Sequence, residues 1–156
     1  MIETRYGNAL NVSSGLIVHG CNCQGVMGGG FALEVKNRFP EAYHEYEKVH
    51  RTRGLVLGDI CFVEVAPMKF IVNGNTQDKF GPGKRQVNYD AVAEVFIATV
   101  KLAKVIETHR GFKPEIIFPQ IGAGLGGGDW KIISAIIDAV IPDDYTKVLF
   151  LLDPNQ

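Results

Sequence analysis

The sequence contains little cysteine, no long hydrophobic run and almost no excess of one charge. Its three cysteines, Cys21, Cys23 and Cys61, are an odd number, and the first two lie too close together in an extended segment to form an easy bridge. A disulfide framework is therefore not expected, which favours a reducing compartment. No apolar run reaches the roughly 18 residues of a membrane helix, and the N-terminus lacks the charged and apolar regions of a signal peptide. We expect a cytoplasmic protein that does not associate with membranes.

Charge and length narrow the class of protein further. The chain has 16 Lys and Arg residues against 17 Asp and Glu residues, a net charge of −1, whereas a dedicated binder of duplex nucleic acid is strongly basic. Hydrophobic residues make up 46% and charged residues 21%, which is typical of a globular protein. The 156 residues suit one domain of ordinary size. We expect a single domain over residues 1–156 and a monomer.

Glycine is the residue in excess. The chain has 18 glycines, where average usage of about 7% would give about 11. Half of them fall in two short stretches, residues 25–30 and residues 122–128. A function for two glycine-rich loops in one small domain is therefore the main question that the composition raises.

The apolar pattern alternates between strands and helices along the chain. The predicted strands are residues 16–18, 59–65, 69–72, 115–119 and 147–152. The predicted helices are residues 31–38, a second that begins near residue 41, residues 88–109 and residues 130–140, and residues 73–86 are predicted to form a loop. This alternation predicts one α/β domain with a largely parallel or mixed sheet, its last strand covered on both faces.

Each glycine cluster follows a predicted strand and precedes a predicted helix. At such a position a helix N-terminus offers free N–H groups and the positive end of its dipole, and glycine lets backbone approach a ligand closely. The two loops together predict a site for a nucleotide diphosphate. The alternative is that the glycines only form tight turns.

Two common nucleotide-binding motifs do not explain the loops. The P-loop pattern is absent. Gly122, Gly124 and Gly127 satisfy Gly-x-Gly-x-x-Gly, but only 29 residues follow Gly127, too few for the rest of a dinucleotide-binding unit. Hydride transfer is therefore disfavoured.

The two loops resemble a known family. The run of residues 18–32 reads Val-His-Gly-Cys-Asn-Cys-Gln-Gly-Val-Met-Gly-Gly-Gly-Phe-Ala, and residues 119–130 read Pro-Gln-Ile-Gly-Ala-Gly-Leu-Gly-Gly-Gly-Asp-Trp. Both are similar to the macrodomain family of ADP-ribose binders, and within it to the ADP-ribose 1″-phosphate phosphatases and the hydrolases that remove ADP-ribose from glutamate or DNA. The resemblance implies a three-layer α/β/α fold, a mixed central sheet of about six strands, and ADP-ribose in a cleft on its crest.

The resemblance also implies a set of ligand-binding residues. They are Asn8, Ala9, Gly20, Gly28, Gly29, Gly30, Phe31, Ala32, Gln120, Gly122, Ala123, Gly124, Leu125, Gly126 and Gly127. One position departs from the family pattern. Many macrodomains have an Asp that accepts a hydrogen bond from the adenine amino group, and this chain has Asn8 there, whose side-chain carbonyl accepts without a charge. Adenine selectivity is therefore left open.

Three residues are candidates for catalysis: His19, Asn22 and Asp129. His19 stands at the end of the first predicted strand, where a histidine can act as general acid, base or nucleophile. By resemblance, the phosphatase group has a histidine at this place, and the alternative is a structural histidine. By resemblance, Asn22 positions the distal ribose. Asp129 either caps the last helix or orients a water molecule. The catalytic acid of the glutamate-directed hydrolases corresponds to Gly126 here, which argues against their mechanism.

The loop before the longest helix carries three cations, Lys79, Lys84 and Arg85. By resemblance, a lysine of this loop serves the ADP-ribosyl hydrolases, but the sequence does not select one of the three from solvated loop cations. The spacing of His19, Cys21 and Cys23 fits no structural zinc pattern, so no metal and no cofactor are expected.

The preferred function is binding of ADP-ribose and hydrolysis of ADP-ribose 1″-phosphate to ADP-ribose and phosphate. One alternative is a hydrolase that removes ADP-ribose from protein or nucleic acid, which would then be partners of the chain. The other alternative is an ADP-ribose-binding module without catalysis. Assays with each substrate distinguish the three.

Overall fold

A computed structural model describes residues 1–152, and a six-stranded sheet forms its centre. The strands are β1 (Glu3–Tyr6), β2 (Gly15–Cys21), β3 (Ile60–Ala66), β4 (Lys69–Asn75), β5 (Ile116–Phe118) and β6 (Lys147–Leu151). The α-helices are α1 (Gly30–Arg38), α2 (Pro40–Thr52), α3 (Tyr89–Arg110) and α4 (Trp130–Val140), and a short 3-10 helix covers Ala9–Asn11.

The strand order is β1-β6-β5-β2-β4-β3. Every pairing is parallel except that of β3 with β4, which is antiparallel. The sheet is therefore mixed, as the sequence predicted. Because β2, β4 and β5 are parallel neighbours, their carboxyl ends lie together at one edge of the sheet, and the loops that follow them meet there.

Helices cover the sheet on both faces, which gives the three-layer fold. Leu16 and Val18 of β2 pack into the apolar cluster that includes residues of α3 and α4. Ile17, on the opposite face of the same strand, packs with Val35 of α1 and Ala42 of α2. This alternation requires apolar side chains on both faces of the central strands. In the part of the chain that the structure describes, no helix has the length and apolar character needed to cross a membrane.

The helix ends follow their local sequence. Pro40 is the first residue of α2, where its missing N–H costs nothing, so it begins a helix as well as ending the previous one. The Asn88 side chain accepts from the Ala91 N–H at 2.9 Å and caps α3, and Gly111 ends that helix with a left-handed φ of 66°.

Three expectations about the strands need correction. Strand β1 was not predicted, because its four residues are mostly exposed and polar and show no apolar run. The predicted loop 73–86 was wrong at its start, since β4 continues through Asn75 in register with β2 and the three added residues are buried. The last strand, predicted to be covered on both faces, is buried only from Lys147 to Leu149 and is half-buried beyond.

Candidate functional site

A cleft of about 710 Å³ lies at the carboxyl ends of β2, β4 and β5. Its walls come from the loops that follow these three strands. The lining residues are His19, Gly20, Cys21, Asn22, Val26, Gly28, Gly29, Gly30, Phe31, Ala32, Gln77, Phe80, Gly81, Pro82, Pro119, Gln120, Ile121, Gly122, Gly124, Leu125 and Gly126. Both glycine clusters thus contribute to one cleft, as their positions after parallel strands predicted.

The first glycine cluster leads into the N-terminus of α1. Gly29 is the N-cap residue with extended backbone, and it has no side chain to accept from the first N–H groups of the helix. Gly30 has φ 56°, a left-handed conformation that favours glycine. The first-turn N–H groups of α1 therefore lie beside the cleft without a side-chain cap, which is an arrangement that binds anions.

The second glycine cluster forms a tight loop, which is held by a hydrogen bond within the loop and by two hydrogen bonds from the segment that precedes α3. The Gly128 N–H donates to the Gly122 carbonyl at 2.7 Å, and the Gln86 and Val87 N–H groups donate to the Gly126 carbonyl at 2.8 and 3.1 Å. A Cβ on Gly126 would lie 2.7 Å from the Gly122 carbonyl oxygen, closer than packing allows. A side chain at position 126 would require the loop to shift, so the loop in this conformation leaves no space for an acidic residue there.

Asn22 uses its side chain to build the first loop. Its Oδ1 accepts from the Gln24 N–H at 2.9 Å, and its Nδ2 donates to the Val26 carbonyl at 2.8 Å. The Tyr46 hydroxyl shares its one hydrogen between the Asn22 main-chain carbonyl at 2.5 Å and Oδ1 at 2.9 Å. One Nδ2 hydrogen remains for a ligand. Asn22 lines the cleft, but most of its hydrogen-bonding capacity holds the loop in shape.

His19 also lines the cleft, yet only 1% of it is exposed. Asn73 Nδ2 donates to the Ala42 carbonyl at 3.0 Å, so Asn73 presents Oδ1 to the imidazole 2.7 Å away. His19 Nε2 must therefore carry the proton and donate, which leaves Nδ1 as the unprotonated nitrogen. Burial lowers the pKa of His19 from 6.5 to about 4, against the smaller opposing effect of the Asn73 hydrogen bond. The ring is thus neutral at pH 7.

Cys21 lies in contact with this histidine and lines the cleft. Its Sγ is 3.7 Å from His19 Nε2 and 3.9 Å from Nδ1. Burial raises the pKa of the Cys21 thiol well above its usual value, so the reactive thiolate is not formed at neutral pH. Over residues 1–152, His, Cys, Asp and Glu side chains form no group suited to a metal ion.

Five of the residues proposed from the sequence do not line the cleft: Asn8, Ala9, Ala123, Gly127 and Asp129. Asp129 caps α4, where its Oδ1 accepts from the Lys131 N–H at 2.9 Å. Asn8 caps the short 3-10 helix, with Oδ1 accepting from the Leu10 N–H at 2.9 Å and Nδ2 donating to Glu34. Ligand contacts of these five residues stay predictions.

The cations of the loop after β4 lie outside the lining of the cleft. Lys79, Lys84 and Arg85 are exposed, and Arg85 stacks over the Tyr89 ring with its guanidinium 4.3 Å from the centroid. The same loop contributes Gln77 and Phe80 to the lining, and of these two Gln77 was not considered as a site residue from the sequence. The signal for Gln77 was available: β4 is apolar and parallel to β2, so the residues after it reach the same edge of the sheet.

The fold and the cleft together define a three-layer α/β protein with a glycine-lined cleft at one edge of its sheet. The Macro domain family model matches residues 18–137, so the chain belongs to the macrodomain family. The resemblance seen in the two glycine loops is confirmed.

Named relatives fall into two activity groups. The ADP-ribose 1″-phosphate phosphatase of Scheffersomyces stipitis is 31% identical over 143 residues, which cover 80% of this chain and 83% of the phosphatase. The DNA ADP-ribosyl glycohydrolase of Mycobacterium tuberculosis is 28% identical over 154 residues, covering 90% of this chain but 42% of the glycohydrolase. The chain therefore spans about two fifths of the length of that relative. The solved macrodomain of Thermus aquaticus DarG matches with a TM-score of 0.76 at 25% identity, over 99% of both chains.

Proposed function

We propose that this chain binds ADP-ribose in the cleft and hydrolyses ADP-ribose 1″-phosphate to ADP-ribose and phosphate. The observation that carries binding is the pair of glycine loops that share one cleft, with the uncapped first turn of α1 in its wall. Backbone N–H groups at a helix N-terminus bind phosphate oxygens without a charged side chain. The diphosphate of ADP-ribose is the group that such a cradle suits.

Two features favour the phosphatase over an ADP-ribosyl hydrolase. Position 126, which corresponds to the acid of the glutamate-directed hydrolases, has no room for a side chain. No Lys, Arg, Asp or Glu lines the cleft within the described residues 1–152, so neither a lysine nor a carboxylate is at hand to act on a glycosidic bond. The similarity to a phosphatase over most of both chains supports the same choice.

In the proposed reaction, water attacks the terminal phosphorus, and the bond between that phosphorus and the oxygen on the distal ribose breaks. The ribose oxygen takes up a proton from solvent, and inorganic phosphate leaves. Asn22 lies beside the distal ribose. His19 takes the proton of the attacking water through Nδ1, since its Nε2 proton is committed to Asn73. A low pKa keeps Nδ1 unprotonated and excludes His19 as a general acid at pH 7.

Binding without turnover is the second candidate. It is favoured by the near-complete burial of His19 and by the hydrogen bonds that occupy most of the Asn22 side chain. A cleft with neutral side chains suits recognition of a ligand as well as reaction.

Calorimetric titration with ADP-ribose tests binding, and phosphate release from ADP-ribose 1″-phosphate tests turnover. We expect His19→Gln to lose most of the rate and to keep the ADP-ribose affinity, because Gln can replace the donor to Asn73 but has no basic nitrogen. Failure to bind ADP-ribose at millimolar concentration would refute the whole proposal. Tight binding with no phosphate release, and no release of ADP-ribose from modified protein or DNA, would establish the binding module.

A further inference from the structure

Gln77 is a cleft residue whose side chain still has an uncommitted acceptor. In His19 the Nε2 proton is donated to Asn73, and Asn22 Oδ1 already accepts from Gln24 and Tyr46. Gln77 differs from both, because across residues 1–152 its Oε1 accepts no hydrogen bond although the residue lines the cleft. Gln77 is half-buried as a residue, and an uncommitted acceptor on a residue that lines a cleft is a group that a ligand can satisfy.

The position of Gln77 is fixed by backbone and side-chain bonds. Its N–H donates to the Cys21 carbonyl at 3.3 Å, which ties it to the end of β2, and it forms a β-bridge with Val87. Its Nε2 donates to the Lys79 carbonyl at 2.8 Å. This bond assigns the orientation of the amide, since only the nitrogen can donate to a carbonyl. Oε1 is therefore the atom left for the ligand.

We infer that Gln77 is a specificity-determining residue that accepts a hydrogen bond, through Oε1, from a hydroxyl group of the ligand's distal ribose. The inference rests on the proposed function, in which that ribose lies beside Asn22, one residue from the Cys21 carbonyl that holds Gln77. A carbonyl oxygen repels the anionic oxygens of a diphosphate and attracts a donor. The hydroxyls of the sugar are the donors next to the diphosphate.

The resemblance implies a lysine from this loop at the site, and the cleft has Gln77 there instead of a cation. Lys79, Lys84 and Arg85 are exposed outside the lining, and the loop presents Gln77 to the cleft in their place. A neutral amide does not transfer a proton to a leaving group, and the Gln77 Nε2 already donates to the Lys79 carbonyl. Gln77 therefore selects a ligand by its hydroxyl and takes no part in proton transfer.

Calorimetry with Gln77→Met tests this inference, because Met has similar length and no acceptor for a hydroxyl. We expect ADP-ribose affinity to fall about fivefold, the effect of one neutral hydrogen bond, and affinity for ADP, which lacks the distal ribose, to stay unchanged. Gln86→Met is the matched control, since Gln86 Nε2 donates to the Gly81 carbonyl at 3.3 Å in the same loop but the residue does not line the cleft. The control should bind both ligands as the wild type does.

A second measurement changes the ligand and compares the wild type with Gln77→Met. The ligands are two analogues of ADP-ribose, one without the 2″-hydroxyl and one without the 3″-hydroxyl. The wild type should bind one of these analogues about fivefold more weakly than ADP-ribose, and Gln77→Met should bind that analogue and ADP-ribose equally well. Equal affinity of wild type and Gln77→Met for ADP-ribose, or an equal loss for ADP, would overturn the inference while leaving the proposed function intact. Absence of ADP-ribose binding by the wild type would instead refute the proposed function.

Discussion

The buried imidazole of His19 makes the stability of the protein depend on pH in a way that can be isolated. In the unfolded chain His19 has its ordinary pKa of 6.5, and in the folded protein burial lowers it to about 4. Between these two values the unfolded chain binds a proton at this position and the folded protein does not. The free energy of unfolding therefore falls as the pH drops below 6.5 and continues to fall until about pH 4.

The size of the effect follows from the two pKa values. One pKa unit corresponds to about 1.4 kcal/mol, so the contribution of His19 reaches about 3 kcal/mol near pH 4 and about 2 kcal/mol at pH 5. His19→Gln removes the titration and can keep a donor for Asn73. Urea unfolding of both proteins at pH 7.5 and pH 5 should show the wild type losing about 2 kcal/mol more than the variant.

The comparison of the two proteins cancels the other groups that titrate in this range. The three remaining histidines, His44, His50 and His109, and every carboxylate are present in both. Parallel loss of stability in the wild type and in His19→Gln would mean that His19 has an ordinary pKa when folded. The His19 side chain would then be accessible to solvent, and it could act as a general acid at neutral pH.

Three further substitutions test individual contacts. Thr76→Val should raise the free energy of unfolding in urea by about 1 kcal/mol, because Thr76 Oγ1 is buried without a hydrogen-bond partner in residues 1–152. An unchanged or lower free energy would mean that the hydroxyl has a partner such as an internal water. Gly126→Ala should weaken ADP-ribose binding in calorimetry by about tenfold or more, since its Cβ would lie 2.7 Å from the Gly122 carbonyl; wild-type affinity would show that the loop adapts. Asp129→Ala should cost about 1 kcal/mol of stability through loss of the α4 cap and leave ADP-ribose affinity unchanged, whereas loss of affinity would restore Asp129 to the site.

The sequence was sufficient to predict the fold and the place of the cleft. Strand β2 is apolar on both faces, which only a covered sheet explains, and the glycine clusters after β2 and β5 mark two loops at the same edge. Gly30, with its left-handed φ, and Gly126, which has no space for a side chain, show why glycine is needed there. Local pattern thus located the site because strand ends and glycine are local features.

The chemical state of the site residues could not be read in the same way. The tautomer of His19 depends on Asn73, which is 54 positions away in the sequence, and its low pKa depends on burial. The Asn22 side chain accepts from Tyr46 of α2. These properties come from contacts between distant segments, which no spacing along the chain reveals.

The distribution of hydrogen bonds separates what the cleft needs for binding from what it needs for reaction. Backbone N–H groups of α1 and the second glycine loop can hold a diphosphate whether or not any side chain changes state, so binding depends on loop shape. The proposed turnover depends on fewer groups. The polar groups of Asn22 maintain the shape of the loop, which leaves one unprotonated nitrogen of the buried His19 ring to take part in the reaction. In the proposed reaction, a change at this one nitrogen would therefore stop catalysis and leave recognition of the ligand intact. Binding and turnover must for this reason be measured separately in every variant of the site.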